Sequence, residues 1–258
     1  MQPFELIVRE TKLVSPLIRE LILEAPKAAA LPAFTAGSHV KVHIPELNDH
    51  RCYSLIVTDS DYDWAQAPNQ YRLGIRLEED GQGGSQFMHQ LQAGDVLHVE
   101  GPVNDFPLHD AQPNEPELVL IAGGIGITPI ASMAQQLQQQ GRAFSLHYSA
   151  RTQDQLAFAD ELGALLNSQL VCYTNDQNNF DLTQLFQTLT PNQPLYVCGP
   201  QGMIDAVIAL AKEKGWEREH VHFELFITAA PLEGDQPFEV ELRQSGLSFT
   251  VPADKTIV

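Results

Sequence analysis

One segment of the sequence combines an apolar run, closely spaced glycines and a helical pattern, which together could bind a phosphate. It extends from Ile121 to Pro129 and reads IAGGIGITP. Glycines let the backbone turn tightly and come close to a ligand, and the N–H groups at the start of a helix attract an anion. The candidate binding residues are Gly123, Gly124, Ile125, Gly126, Thr128 and Pro129. Taken alone, the segment also fits a tight strand-to-helix turn that binds nothing.

Four further motifs surround this glycine loop. They read RCYS at residues 51–54, GQGGS at 81–85, GPVNDFPL at 101–108 and YVCGP at 196–200. In this order and spacing they resemble the ferredoxin-reductase family, and most of all the group of phthalate dioxygenase reductase and vanillate demethylase reductase. The resemblance covers nearly the whole chain and implies an enzyme that binds a flavin and a nicotinamide dinucleotide.

On the flavin side, the resemblance places Tyr53 beside the isoalloxazine ring and Ser54 near flavin N5. It pairs Arg51 with the flavin phosphate, a group that a guanidinium binds well, and makes Ser85 the cap of a phosphate-binding helix. A strand-end arginine beside a core tyrosine is the alternative for the first motif. The resemblance favours FMN, with FAD as the alternative. The flavin-binding candidates are Arg51, Cys52, Tyr53, Ser54, Gly74, Ile75, Arg76, Gly83, Gly84, Ser85 and Phe226.

On the nicotinamide side, the glycine loop holds the pyrophosphate, and Cys198 lies near nicotinamide C4 as a thiol that shapes the hydride path. A buried structural thiol is the alternative. An arginine after the second strand can accept a 2′-phosphate, which favours NADPH, but the resemblance favours NADH, which we expect. The further dinucleotide-binding candidates are Ser149, Arg151, Cys198, Gly199, Pro200 and Met203, and the catalytic candidates are Ser54, Cys198, Glu224 and Phe226. Phe226 would cover the ring, although a core phenylalanine at a strand end fits its position equally well.

Composition limits the class of protein. The 258 residues suggest more than one domain, and 15 Lys and Arg against 33 Asp and Glu give a formal charge of −18. That charge argues against nucleic acid and anionic membranes as partners. The three cysteines have neither metal-ligand nor disulfide-framework spacing, so no metal site is expected. With no signal-peptide pattern at the N-terminus, we expect a cytoplasmic protein.

Residue patterns divide the chain into three parts. Residues 1–110 contain many short alternating strands, which favour an antiparallel β-barrel for the flavin. Residues 111–228 alternate apolar runs with helical segments, which is typical of a parallel-sheet nucleotide-binding domain. Residues 229–258 resemble a linker and the opening hairpin of a β-grasp ferredoxin domain. No cysteines at [2Fe-2S] spacing lie there, so we expect a truncated form whose cluster domain is missing, with a genuine terminus as the alternative.

The resemblance therefore implies an electron-transfer reductase that passes hydride from NADH to flavin, and then single electrons through a [2Fe-2S] centre to a Rieske-type oxygenase. The resembled group serves aromatic acids, and similar reductases serve quaternary amines such as carnitine. Two alternatives stay open: an FAD-dependent reductase for another acceptor, and a flavin- or nucleotide-binding subunit without turnover.

Overall fold

The computed structural model describes residues 3–110, 116–226, 236–242 and 246–252. Its contacts divide the chain into two compact units, Met1–Leu225 and Phe226–Val258. The predicted domain limits at 110/111 and 228/229 stay predictions.

The first part of the larger unit is a six-stranded antiparallel sheet in the order β4-β3-β6-β1-β2-β5. Its elements are β1 (Phe4–Ser15), β2 (Ile18–Glu24), β3 (His39–Ile44), β4 (Asp49–Ser54), β5 (Gln70–Arg76), α1 (Gly84–Gln90) and β6 (Val96–Val103). A bridge between Leu55 and Leu73 joins its two edges, which closes the predicted barrel. Alternation turns Val40, Val42 and Ile44 into the core, where each is 0% exposed, because successive strand residues point to opposite faces.

The second part is a five-stranded parallel sheet in the order β11-β10-β7-β8-β9. Its elements are β7 (Leu118–Gly123), α2 (Ile127–Gln140), β8 (Phe144–Ala150), α3 (Ala159–Leu166), β9 (Leu170–Thr174), α4 (Leu182–Thr188), β10 (Leu195–Cys198), α5 (Gln201–Glu213) and β11 (Val221–Glu224). Every residue of β7 is buried, as expected for the central strand of a sheet covered on both faces. The predicted fold class is confirmed.

The start of helix α3 is set by the backbone of the residue before it. Phe158 has φ 61°. This left-handed conformation cannot continue a right-handed helix, so α3 begins at Ala159.

The smaller unit contains a two-stranded antiparallel sheet. Strands β12 (Phe238–Leu242) and β13 (Leu247–Val251) pair so that Phe238 lies opposite Val251, which matches the predicted hairpin. Among the described residues, no helix has the length and apolar character needed to cross a membrane.

Candidate active site

The glycine loop and the YVCGP motif meet at one edge of the parallel sheet. Strands β7 and β10 are neighbours, with Cys198 opposite Ala122. A Cβ atom on Gly126 would lie 2.2 Å from the backbone oxygen of Cys198, and one on Gly123 would lie 2.7 Å from Pro200 Cδ. Both positions therefore require glycine, because any side chain would push the two segments apart.

The same loop leads directly into α2. The N-cap of α2 is Gly126, which has no side chain to bond the first N–H groups. Thr128 is 2% exposed, and its hydroxyl donates to the Ile125 carbonyl at 3.0 Å instead of facing a ligand. The backbone N–H groups of this turn are the donors that an anion would meet.

The dinucleotide candidates outside the loop lie around it. Ser149 is opposite Gly123 on the neighbouring strand β8, and Arg151 follows that strand in an exposed position. Met203 lies in the first turn of α5, where its Sδ would be 2.9 Å from a Cβ on Gly123. A Cβ on Gly199 would lie 3.0 Å from the Gly123 nitrogen.

Cys198 and Glu224 end neighbouring parallel strands and lie opposite one another. Burial, and secondarily the charge of Asp105, raise the pKa of the Glu224 carboxyl to about 7. Burial, with a smaller effect of Glu224, raises the pKa of the Cys198 thiol well above its usual value. A protonated thiol is a poor nucleophile, in keeping with a role that only shapes the site.

Ser54 ends β4 directly opposite His39. Both are buried, at 5% exposure each. No described residue offers a hydrogen-bond partner to the buried side-chain atoms Ser54 Oγ, His39 Nδ1 and Glu224 Oε2. Asp105 lies near two of these groups, since its Oδ2 is 4.0 Å from His39 Nε2 and its charge raises the pKa of Glu224. Burial lowers the pKa of His39, which keeps the imidazole neutral.

No motif in the sequence pointed to His39 or Asp105 as site candidates. His39 occupies an outward position of an alternating strand, which predicts a surface or packing residue. Its unpartnered ring nitrogen is visible only once the neighbouring strand is in place. Buried polar atoms without partners are uncommon in folded proteins, so this group indicates a place where a polar ligand binds.

The RCYS and GQGGS motifs also meet. A Cβ on Gly84 would lie 2.9 Å from Arg51 Cγ, so the arginine lies across the start of α1. Its guanidinium donates to Asp49 Oδ2 at 2.6 Å and to Gln82 Oε1 at 2.8 Å. A flavin phosphate held here would compete with those two acceptors.

Ser85 is not the helix cap that the sequence predicts. The N-cap is Gly83, with φ 96°, because glycine accepts this left-handed conformation without strain. Ser85 is the second residue of α1, and its hydroxyl accepts from the Glu78 backbone N–H at 3.0 Å. Arg76 is bound to Glu78 at 2.7 Å.

The other flavin candidates differ in how far they are buried. Burial raises the pKa of Tyr53, which packs against the barrel core, whereas Cys52 is an exposed free cysteine. Ile75 is 1% exposed, and its carbonyl oxygen lies 2.8 Å from His89 Nε2, so it presents little to a ligand. A Cβ on Gly74 would meet Thr128 Cγ2 at 3.1 Å, so β5 contacts the start of α2. Phe226 belongs to the smaller unit, and its place at the flavin stays a prediction.

These features fit a flavin and a dinucleotide. The three unpartnered atoms can bond a polar ring edge, and the glycine N-caps Gly83 and Gly126 leave the first N–H groups of α1 and α2 without a side-chain partner, as a phosphate requires. The described residues contain no group of three potential metal ligands.

Comparison with known proteins agrees with this geometry. Residues 5–107 match the oxidoreductase FAD-binding domain, and residues 110–221 match the N-terminal domain of the dimethylamine monooxygenase subunit DmmA-like family. The heme-dependent oxidative N-demethylase beta subunit of Ectopseudomonas mendocina is 39% identical, over 95% of this chain and 75% of that protein. Phthalate dioxygenase reductase of Burkholderia cepacia is 37% identical, over 92% and 72% of the two chains.

A solved structure of phthalate dioxygenase reductase superposes with a TM-score of 0.77 at 34% identity, covering 99% of this chain and 78% of that one. The resemblance predicted from the motifs is confirmed, as is the class of enzyme, a flavoprotein oxidoreductase. The chain belongs to the phthalate dioxygenase reductase family, the flavin-dependent reductase components of oxygenases within the ferredoxin-reductase superfamily.

Proposed function

We propose that this protein takes hydride from NADH onto a bound FMN and passes the electrons singly to an oxygenase. The observation that carries the proposal is the group of three unpartnered buried atoms, Ser54 Oγ, His39 Nδ1 and Glu224 Oε2. The flavin, when bound, supplies the conversion of a two-electron donor into single electrons. The protein supplies binding, orientation and exclusion of water.

Ser54 and Glu224 would hold the reacting edge. Ser54 can donate a hydrogen bond from a buried hydroxyl, which is worth more in a dry site than in water. Glu224, with a pKa raised to about 7, changes its protonation near neutral pH and can hold or release a proton there. Cys198, opposite Glu224, leaves room for a ring where a larger side chain would not.

Arg51 and the start of α1 would hold the flavin phosphate. The contact between Arg51 and Gly84 supports this assignment, whereas the choice of FMN rests on the family resemblance. FAD is the alternative, because residues 5–107 match an FAD-binding domain. Extraction of the bound cofactor and chromatography against both standards distinguishes the two.

The choice of NADH over NADPH rests on the family resemblance. Arg51 is assigned to the flavin phosphate and has no part in this choice, whereas Arg151 favours NADPH. Values of kcat/KM for both donors test it, and a clear preference for NADPH would overturn it. We further propose a cytoplasmic location, where both donors are present.

The electrons would reach the oxygenase through a [2Fe-2S] centre. The solved relative is described as a modular structure for electron transfer from pyridine nucleotides to [2Fe-2S]. Because the described residues hold no group of three metal ligands, the cluster would belong to a ferredoxin domain outside them. We favour a Rieske-type oxygenase as partner.

A heme-dependent N-demethylase is the second candidate partner. It is favoured by the 39% identity to the beta subunit of such an enzyme and by the match of residues 110–221 to a dimethylamine monooxygenase subunit. Anaerobic transfer of electrons from the reduced protein to purified oxygenases of both types distinguishes the partners.

The first test is an anaerobic titration with NADH, followed by absorbance, of protein reconstituted with FMN or FAD. We expect uptake of flavin and complete bleaching by one equivalent of NADH. Uptake of flavin without bleaching would favour a binding subunit without turnover. Failure to take up either flavin would contradict the assignments of Arg51 and Ser54.

A further inference from the structure

Helix α2 carries three polar side chains on the face that packs against the barrel. They are Ser132, Gln135 and Gln139, and spacings of three and four residues place them on one side of a helix. All three bond to the segment 55–64, which directly follows β4 and Ser54.

Ser132 makes two of these bonds. Its hydroxyl donates to the Leu55 carbonyl at 2.7 Å and accepts from the Val57 N–H at 2.9 Å. The side chain is 0% exposed. A single buried hydroxyl thus fixes the backbone on both sides of residue 56.

Gln135 makes the next two. It accepts from Trp64 Nε1 at 2.7 Å and donates to the Asp59 carbonyl at 2.8 Å, while being only 1% exposed. Gln139 donates to the Tyr62 carbonyl at 2.9 Å, but it is exposed to solvent. The bonds therefore pass from fully buried near Ser54 to exposed at the far end.

These contacts connect the two halves of the candidate site. Leu55 is the residue after Ser54, and α2 begins where the glycine loop ends. A second contact lies nearby, because Arg72 of β5 binds Glu161 of α3 at 2.8 Å. A buried polar contact with every group satisfied permits one relative position, whereas an apolar contact can slide.

We infer that Ser132 and Gln135 are positioning residues for hydride transfer. They hold the end of the Ser54 strand at a fixed place relative to the loop that binds the dinucleotide. This inference rests on the proposed function, since it assumes that flavin binds at Ser54 and the dinucleotide at the glycine loop. Small displacements of reacting atoms are costly, up to ~100-fold in rate for about 1 Å.

The test compares Ser132→Ala and Gln135→Leu with Gln139→Ala as the matched control on the same helix. Ser132→Cys, which keeps the volume and replaces the hydroxyl by a weak donor, serves if Ser132→Ala does not fold. The measurements are the rate of flavin reduction in a single anaerobic turnover, the dissociation constant for NADH, and hydrogen exchange of the Val57 amide in flavin-free protein.

We expect both buried variants to slow flavin reduction about 10-fold or more and to change the dissociation constant for NADH less than about 2-fold. Exchange of the Val57 amide should accelerate in Ser132→Ala, and Gln139→Ala should resemble the unaltered protein. A loss of thermal stability with an unchanged reduction rate per bound flavin would overturn the inference, as would equal slowing in Gln139→Ala. Failure of the proposed function is distinguishable, because the unaltered protein would then show no reduction by NADH.

Discussion

Replacing Glu224 with glutamine should remove a pH-dependent loss of stability. The carboxyl has a pKa of about 7 in the folded protein and 4.5 as its ordinary value. Because folding favours the protonated form, the protein is most stable below pH 4.5 and loses this contribution as the pH rises through 7.

The size of the effect follows from the two pKa values. Their difference is about 7 − 4.5 = 2.5, and one pKa unit corresponds to about 1.36 kcal/mol. When the folded and unfolded states are each divided into protonated and ionised forms with these pKa values, the free energy of unfolding falls by about 2.5 kcal/mol between pH 5 and pH 8. Glutamine cannot ionise, so the Glu224→Gln variant does not lose this free energy as the pH rises.

Urea unfolding at several pH values, without added flavin, measures the difference between Glu224→Gln and the unaltered protein. Other titrating groups cancel in that difference. Glu219→Gln replaces an exposed carboxylate in the same region and reports the effect of charge alone. We expect the difference for Glu224→Gln to rise by about 2.5 kcal/mol from pH 5 to pH 8 in favour of the variant. A difference that stays constant with pH, or equals that of Glu219→Gln, would refute the reasoning.

Three further predictions concern other parts of the larger unit. Gly126→Ala places a Cβ 2.2 Å from a backbone oxygen; it should lower the free energy of unfolding by about 2 kcal/mol and abolish NADH binding. Urea unfolding and NADH titrations measure the two effects. Gly202→Ala, whose Cβ meets nothing within 4 Å, is the control and should show neither. Arg51→Gln should weaken flavin binding at least about 10-fold through loss of a charged phosphate partner, with an unchanged melting temperature; unchanged flavin affinity in fluorescence titrations would contradict it. Arg72→Met leaves the carboxylate of Glu20, which is 3% exposed, without one of its cations. It should lower the free energy of unfolding, measured with urea, by about 3 kcal/mol. A loss below about 1 kcal/mol would contradict this prediction.

Local patterns in the sequence were enough to predict the secondary-structure elements and the glycine turns between them. The short alternating runs of residues 1–110 predicted the strands of the barrel, because the faces of a strand alternate whatever lies beside them. The glycines of IAGGIGITP predicted the strand-to-helix turn, because the conformational freedom of glycine belongs to the residue itself. The order of the motifs also identified the family.

Local patterns failed where a neighbour distant in sequence decides the outcome. Ser85 looked like a helix cap, but Gly83 takes that position and the Ser85 hydroxyl bonds to Glu78. Glu224 has an ordinary sequence context, and its pKa is set by burial and by Asp105, more than a hundred residues away.

What the sequence by itself determined is therefore the set of strands and helices, the glycine turns at the starts of helices and the class of enzyme. Only the tertiary structure decided which polar groups are buried, which of them lack a partner, and which bond α2 to the segment after β4. The bond between Ser132 and Leu55 joins residues 77 positions apart. Periodicity and turn propensity act over a few residues, whereas burial and electrostatic effects depend on whatever the fold brings within a few ångströms.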